Sequence, residues 1–179
     1  PNPAMRRPAL AGLARVASPK SFTALTEAAK SADFRYEPAN AMGALLEYAK
    51  QLGKKGALVT SEKVCRLIMK STDDAERLAT RAAALAILAD FRGQSALPDL
   101  LKAVDHADRK YRNAALMSAE RIRGVAPVRQ WIAKAQKADP ERRAEIIAML
   151  GRQGDRRALA FIRSSLGASE PEVMLAAAE

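Results

Sequence analysis

With 179 residues, 49% of them apolar and only 4% aromatic, the chain can bury a sizeable core, built from Ala, Leu, Ile and Met rather than from rings. Its single cysteine, Cys65, excludes an internal disulfide and a cysteine-built zinc site. The formal charge of +10 and pI near 10.1 are the main lead toward a partner, because such an excess favours anions.

Strand-like alternation of Val, Ile, Thr and Tyr is missing, so the chain reads as all-α. Residues 8–16 and 21–30 form a first helical pair, broken at Ser18-Pro19. Residues 33–37 are the longest non-helical insertion, which Phe34 and Tyr36 are expected to pin to the rest. A helix over 38–52 is opened by Pro38 and closed near Gly53 and Gly56. Its partner spans 61–69, with Cys65 in the helix core. Residues 71–76 make an acidic turn. There Asp73, Asp74 and Glu76 lack the glycine and the twelfth-position acid of a calcium loop, and read instead as a helix-capping run.

From there the chain repeats itself about every 31 residues, over 81–108, 112–139 and 143–170. Each copy opens with an arginine and an Ala/Leu- or Ile-rich helix, breaks at Gly93, Gly124 or Gly154, and resumes with a second apolar run. The second runs carry paired anchors, Leu100-Leu101, Trp131-Ile132 and Phe161-Ile162. The register makes Trp131 a core residue. A fixed period of this size means stacked supersecondary units. The pairs Asp108/Arg112 and Asp139/Arg143 are spaced for an N-terminal cap and an i,i+4 contact. Residues 173–179 match the start of another first helix. A lone half-repeat cannot bury its apolar face, so the expectation is a segment of something longer.

The pattern Asp-x-x-x-Arg, Ala-Ala-Leu, a glycine turn and ALPDLLKAV over 96–104 strongly resembles HEAT repeats, particularly the short HEAT-like type of phycobilisome lyases. The resemblance covers 78–179 by sequence and the earlier part by architecture. It departs at the first junction, where Arg77 stands four residues before Arg81 in place of an acid. It implies a right-handed α–α superhelix, with first helices on the convex side and second helices lining the concave side. The expected organisation is one domain, 1–179, of about five helical pairs plus a truncated one. Irregular pairs cover 1–37 and 38–77, regular repeats 78–110, 111–141 and 142–172, and a partial repeat 173–179.

Charge is unevenly placed, with 14 basic against 5 acidic residues between Arg109 and Arg163. Arg92, Arg121, Arg123, Arg152, Arg156 and Arg157 fall beside the intra-repeat glycines, and stacking would line them along one candidate edge. Cations at helix C-termini are also favoured by the dipole, so a solvated edge is the competing reading. Lys102, Arg129, Lys134 and Arg163, with Lys137, are candidates on the concave face. Tyr111 is the one aromatic at a repeat junction open to base stacking. His106, the sole histidine, reads as a solvated turn residue. Two-histidine metal motifs are impossible with one histidine, Ser/His/Asp and Cys/His sets are incomplete, and no phosphate-cradling glycine loop is present.

The reading is therefore a non-catalytic protein-interaction scaffold without cofactor or metal, holding a partner, acidic by charge, on its concave face or basic edge. One alternative is a nucleic-acid-binding solenoid, since the alkylpurine type of DNA glycosylase shares this architecture. Another is an accessory module, because residues 37–56 look like repeats of secreted bacterial multidomain proteins with sugar-acting domains. No membrane insertion is expected, and the compartment stays open, the chain being expected to be soluble, with an extracytoplasmic bacterial location as the alternative.

Overall fold

The computed structural model describes the backbone of residues 3–179 and the side chains from Met5 onward. Every regular element among the described residues is helical. The chain divides into two compact units, Pro1–Arg92 and Gly93–Glu179.

The first unit contains α1 (Pro3–Val16), α2 (Ser21–Ser31), α3 (Ala41–Lys54), α4 (Leu58–Ser71), a 3-10 turn (Ala75–Arg77) and α5 (Leu78–Arg92). Helix α3 is its hub, packing against α1, α2, α4 and α5. Leu45, Tyr48, Leu52, Ile68 and Leu85 are almost completely buried there. The Tyr48 hydroxyl donates to the Ser18 carbonyl at 3.0 Å, so the one large polar core residue is satisfied. Cys65 is fully buried, and desolvation pushes its thiol up to about 12, as a helix-core cysteine requires.

The second unit contains a 3-10 turn (Gly93–Ala96), α6 (Leu97–Ala103), α7 (Arg109–Ala119), α8 (Val125–Lys137) and α9 (Pro140–Gln153). A 3-10 turn (Arg156–Ala158), α10 (Leu159–Ser165) and α11 (Pro171–Ala178) follow. Helix α7 packs on α6 and α9, α8 on α6 and α9, and α11 on α9 and α10. Each helix thus meets neighbours one and two steps along the chain, which is the packing order of a helical repeat stack. Trp131, Leu100, Leu116, Ile146 and Ile147 fill the core, so the register placed Trp131 correctly.

Several local expectations change. Helix α3 starts at Ala41, not Pro38, because the Glu37 carboxylate takes the amides of Ala39 at 2.6 Å and Ala41 at 2.8 Å. Pro38 therefore sits in the capping loop. The Ala41 amide is the main reason the Glu37 carboxyl titrates below its ordinary range. In the 33–37 insertion only Phe34 is a pin, 8% exposed, whereas Tyr36 is 83% exposed. Asp33 and Phe34 both hold left-handed backbone, at φ 50° and 52°. That conformation costs about 1–2 kcal/mol per residue, which Phe34 burial and the Arg77 guanidinium on the Asp33 carbonyl offset.

Helix α3 ends at Lys54, between Gly53 and Gly56 as expected, and Gly53 is buried in its last turn, where a Cβ would come 2.3 Å from Phe91 Cδ2 of α5. The missing side chain lets the two helices close. Gly53→Ala is expected to lower stability by about 1–2 kcal/mol in urea unfolding, overpacking outweighing the gain in helix propensity. Adding Phe91→Leu should recover most of that loss, since the smaller side chain vacates the contact.

Candidate binding surface

A repeat of short helices leaves many helix ends, and each C-terminus exposes carbonyls without intrahelical partners. In the second unit these ends are satisfied by cations from the next helices. Arg112, 2% exposed, donates from Nη1 to the carbonyls of His106 at 3.1 Å and Ala107 at 2.8 Å, just beyond α6. Its Nε and Nη2 grip Glu145 of α9 through both oxygens at 2.8 Å, and Nη2 also reaches Glu141 at 2.8 Å. Arg143 repeats the arrangement one unit later, donating to the carbonyls of Ala135 at 3.3 Å and Ala138 at 3.4 Å at the end of α8, and to Glu170 at 3.4 Å.

These arginines therefore do not make the i,i+4 contact expected with Asp108 and Asp139. The aspartates do cap as expected. Asp108 accepts from the Tyr111 amide at 2.8 Å and Asp139 from the Arg142 amide at 2.9 Å. Asp139 takes Arg142 as its charge partner too. The same turn corrects two further expectations. Tyr111 is 4% exposed and meets the His106 ring edge-on at 5.0 Å, so it offers no stacking platform. His106 is half-buried and its Nδ1 accepts from the Asp108 amide at 3.0 Å, fixing it as part of the turn rather than a solvated residue.

The glycine side of the repeat is held differently, by amides. Gln94 Nε2 donates to the Arg123 carbonyl at 3.1 Å, and Gln153 Nε2 to the Ile122 carbonyl at 2.9 Å. Gly124, at φ 135°, has a backbone that only glycine adopts freely, and a Cβ would stand 2.9 Å from the Gln94 amide.

The candidate cations divide along these lines. Arg92, in the first unit, pairs with Glu62 at 2.9 Å. In the second unit Arg152 reaches Glu120 at 2.6 Å and Arg157 reaches Asp155 at 2.9 Å. Arg121 is engaged within the chain as well. Lys134 is drawn back to Asp105 at 2.5 Å. Lys102 on α6, Arg129 on α8 and Arg163 on α10 are exposed and form no ion pair among the described residues, as are Arg123 and Arg156 beside the glycine turns. Helix α6 adjoins α8, and α8 adjoins the turn leading into α10, so the first three lie on successive second helices. Among the described residues no three His, Cys, Asp or Glu side chains gather as a metal site, and no helix is long and apolar enough to cross a membrane.

Residues 80–106, running through α5, the Gly93 turn and α6, match the family model described as PBS lyase HEAT-like repeat. The chain carries a HEAT-like repeat. No curated protein matches the chain. HEAT-like repeats generally build scaffolds rather than catalytic centres, and the all-helical packing described above is that of such a stack.

The clasp on the α6 end predicts a large stability cost. Arg112→Ala leaves Glu145, which is 7% exposed, with only the longer 3.4 Å contact to the exposed Arg109, and leaves two carbonyls without donors. Loss of about 3–5 kcal/mol in urea unfolding is expected, with Arg112→Lys recovering little because an ammonium cannot reproduce the fork. The Asp139 cap is pH-dependent. The Arg142 amide, chiefly, holds this carboxyl below its ordinary range. Its contribution is therefore complete above the unfolded carboxylate value near 4 and lost as pH falls through the lower folded value. Asp139→Ala should cost about 1 kcal/mol at pH 7 and nothing below the folded value, as read from urea midpoints across pH.

Proposed function

We propose that the chain is a non-catalytic protein-interaction scaffold that holds an acidic protein segment on the second-helix face of its C-terminal unit. The observation that carries the reading is selective pairing. Where a cation buttresses a turn or a neighbouring helix, a carboxylate or carbonyl of this chain receives it, as with Arg112, Arg143, Arg152 and Lys134. Lys102, Arg129 and Arg163 hold no such partner and stand on three consecutive second helices. A row of unneutralised cations on rigid helices attracts anionic chains and steers their approach. HEAT-like repeats as scaffolds for protein partners support the choice of macromolecule.

Protein is favoured over nucleic acid because the second unit lacks a stacking platform. Trp131 is fully buried, Tyr111 is 4% exposed, and Phe161 is half-buried beside the core. Nonspecific single-strand binding draws on exposed rings next to the basic groove.

Fluorescence anisotropy with a labelled oligoglutamate peptide tests this. Replacing Lys102, Arg129 and Arg163 together by Ala removes three contacts of about 0.2–1 kcal/mol each, so affinity should fall roughly threefold to 150-fold. Arg157→Ala, which removes a cation already paired with Asp155, should leave it unchanged. Equal binding by the triple variant would refute the surface. Tighter binding of a 20-base-pair duplex through the same residues, falling steeply with salt, would transfer the surface to nucleic acid.

A further inference from the structure

The first unit has its own cleft, which the reading above does not use. It lies between α1 and α3, encloses about 550 Å³, and is lined by Arg7, Ala11, Ala14 and Arg15 of α1 and by Asn40, Gly43 and Glu47, among others, on the α3 side. Its floor is made of alanines and one glycine, so the polar groups stand above a shallow apolar base. Arg7 and Arg15 are exposed and form no ion pair among the described residues. They are eight residues apart on one helix, which puts them on the same face about 12 Å apart along its axis. The one acid in the lining, Glu47, accepts from Gln51 Nε2 at 2.6 Å, so the lining sets two guanidinium groups against one carboxylate.

The third polar group is unusual. Asn40 holds left-handed backbone at φ 54° at the N-cap of α3, yet its side chain makes no capping hydrogen bond. The capping work is done by Glu37, whose carboxylate takes the Ala39 and Ala41 amides. The Asn40 amide lies instead flat over Gly43, with Oδ1 2.4 Å and Nδ2 2.5 Å from where a Cβ would stand. A side chain at Gly43 would make the amide move. Its donor and acceptor are thus released from the helix end and set at the cleft without a partner among the described residues.

We propose that the α1–α3 cleft binds an extended acidic peptide segment, with Arg7 and Arg15 each taking a carboxylate and the Asn40 amide pairing with the peptide backbone. Two arginines whose positions are about 12 Å apart along the helix axis are within reach of carboxylates four residues apart in an extended chain, which spans about 13 Å. Polar groups strung in a row above an open floor suit a chain rather than a compact molecule, which needs them to converge. A primary amide offers a donor and an acceptor together, as a peptide bond does. A phosphate ester offers acceptors alone, and none of the lining residues named for the cleft is aromatic. This site is independent of the second-helix surface of the other unit and of the function proposed for it.

The test uses the full chain in the Lys102→Ala/Arg129→Ala/Arg163→Ala background, so that loss of that surface is already accounted for. The probe is a fluorescein-labelled Gly/Ser peptide with two glutamates separated by three residues, read by anisotropy. Arg7→Ala and Arg15→Ala should each weaken binding about fivefold or more, and together abolish it, with thermal unfolding unchanged. Asn40→Gly keeps the left-handed backbone, removes the amide, and should weaken binding without loss of fold. A peptide with adjacent glutamates should bind less tightly. Unchanged affinity in the Arg7/Arg15 double variant overturns the proposal. So does tighter binding of a single-stranded oligonucleotide through the same arginines, or self-association by sedimentation that these two substitutions abolish.

Discussion

A guanidinium buried at the end of a neighbouring helix is the interaction on which the second unit depends. All five donors of Arg112 are used, three on carboxylates of α9 and two on carbonyls beyond α6. Burying a charge is costly unless it is paired and fully hydrogen-bonded. Here the pairing also satisfies two carbonyls of the turn between α6 and α7. One side chain of α7 therefore ties the end of α6 to the face of α9. The first unit solves the same problem with Lys55 on the Val16 carbonyl at 2.5 Å and Arg77 on the Asp33 carbonyl at 2.7 Å. The common cause is geometric. Helices of 7 to 15 residues stacked side by side have more ends per residue than long ones do, and long flexible cations reach those ends across a gap.

This changes how the positive charge is understood. Basicity alone points to an anionic partner, but a share of the arginines neutralises carboxylates and carbonyls of the chain itself. Cations without an ion pair among the described residues include Lys102, Arg129 and Arg163 on one unit and Arg7 and Arg15 on the other. Net charge measures the sum of the two roles and so overstates the binding role.

Periodicity made the helices and the buried face of Trp131 legible, because a repeated register moves equivalent residues to equivalent depths. Element boundaries shifted where a side chain outside the apolar pattern did the capping, as Glu37 does ahead of Pro38 and α3. Gly53 marks the end of α3, as glycine's weakness in helices leads one to expect. It is also a point of close helix approach, which depends on Phe91, 38 positions along the sequence. Asp108 and Asp139 were recognisable as caps from local spacing, whereas the partners of Arg112 and Arg143 were not. Their carboxylate partners lie roughly thirty residues away, beyond the reach of any i,i+4 rule.

The sequence by itself determined the all-helical class, the glycine-punctuated repeat and its HEAT-like character, since these follow from side-chain period and turn chemistry within a few residues. Only the tertiary structure decided which cations are spent inside the molecule and which are left outward, that Tyr111 is buried while Tyr36 is not, and that Asn40 is freed from its helix end. Each of these turns on contacts between segments distant in sequence. Hydrogen bonding and burial are set by the full three-dimensional neighbourhood of a group, and composition does not carry that information.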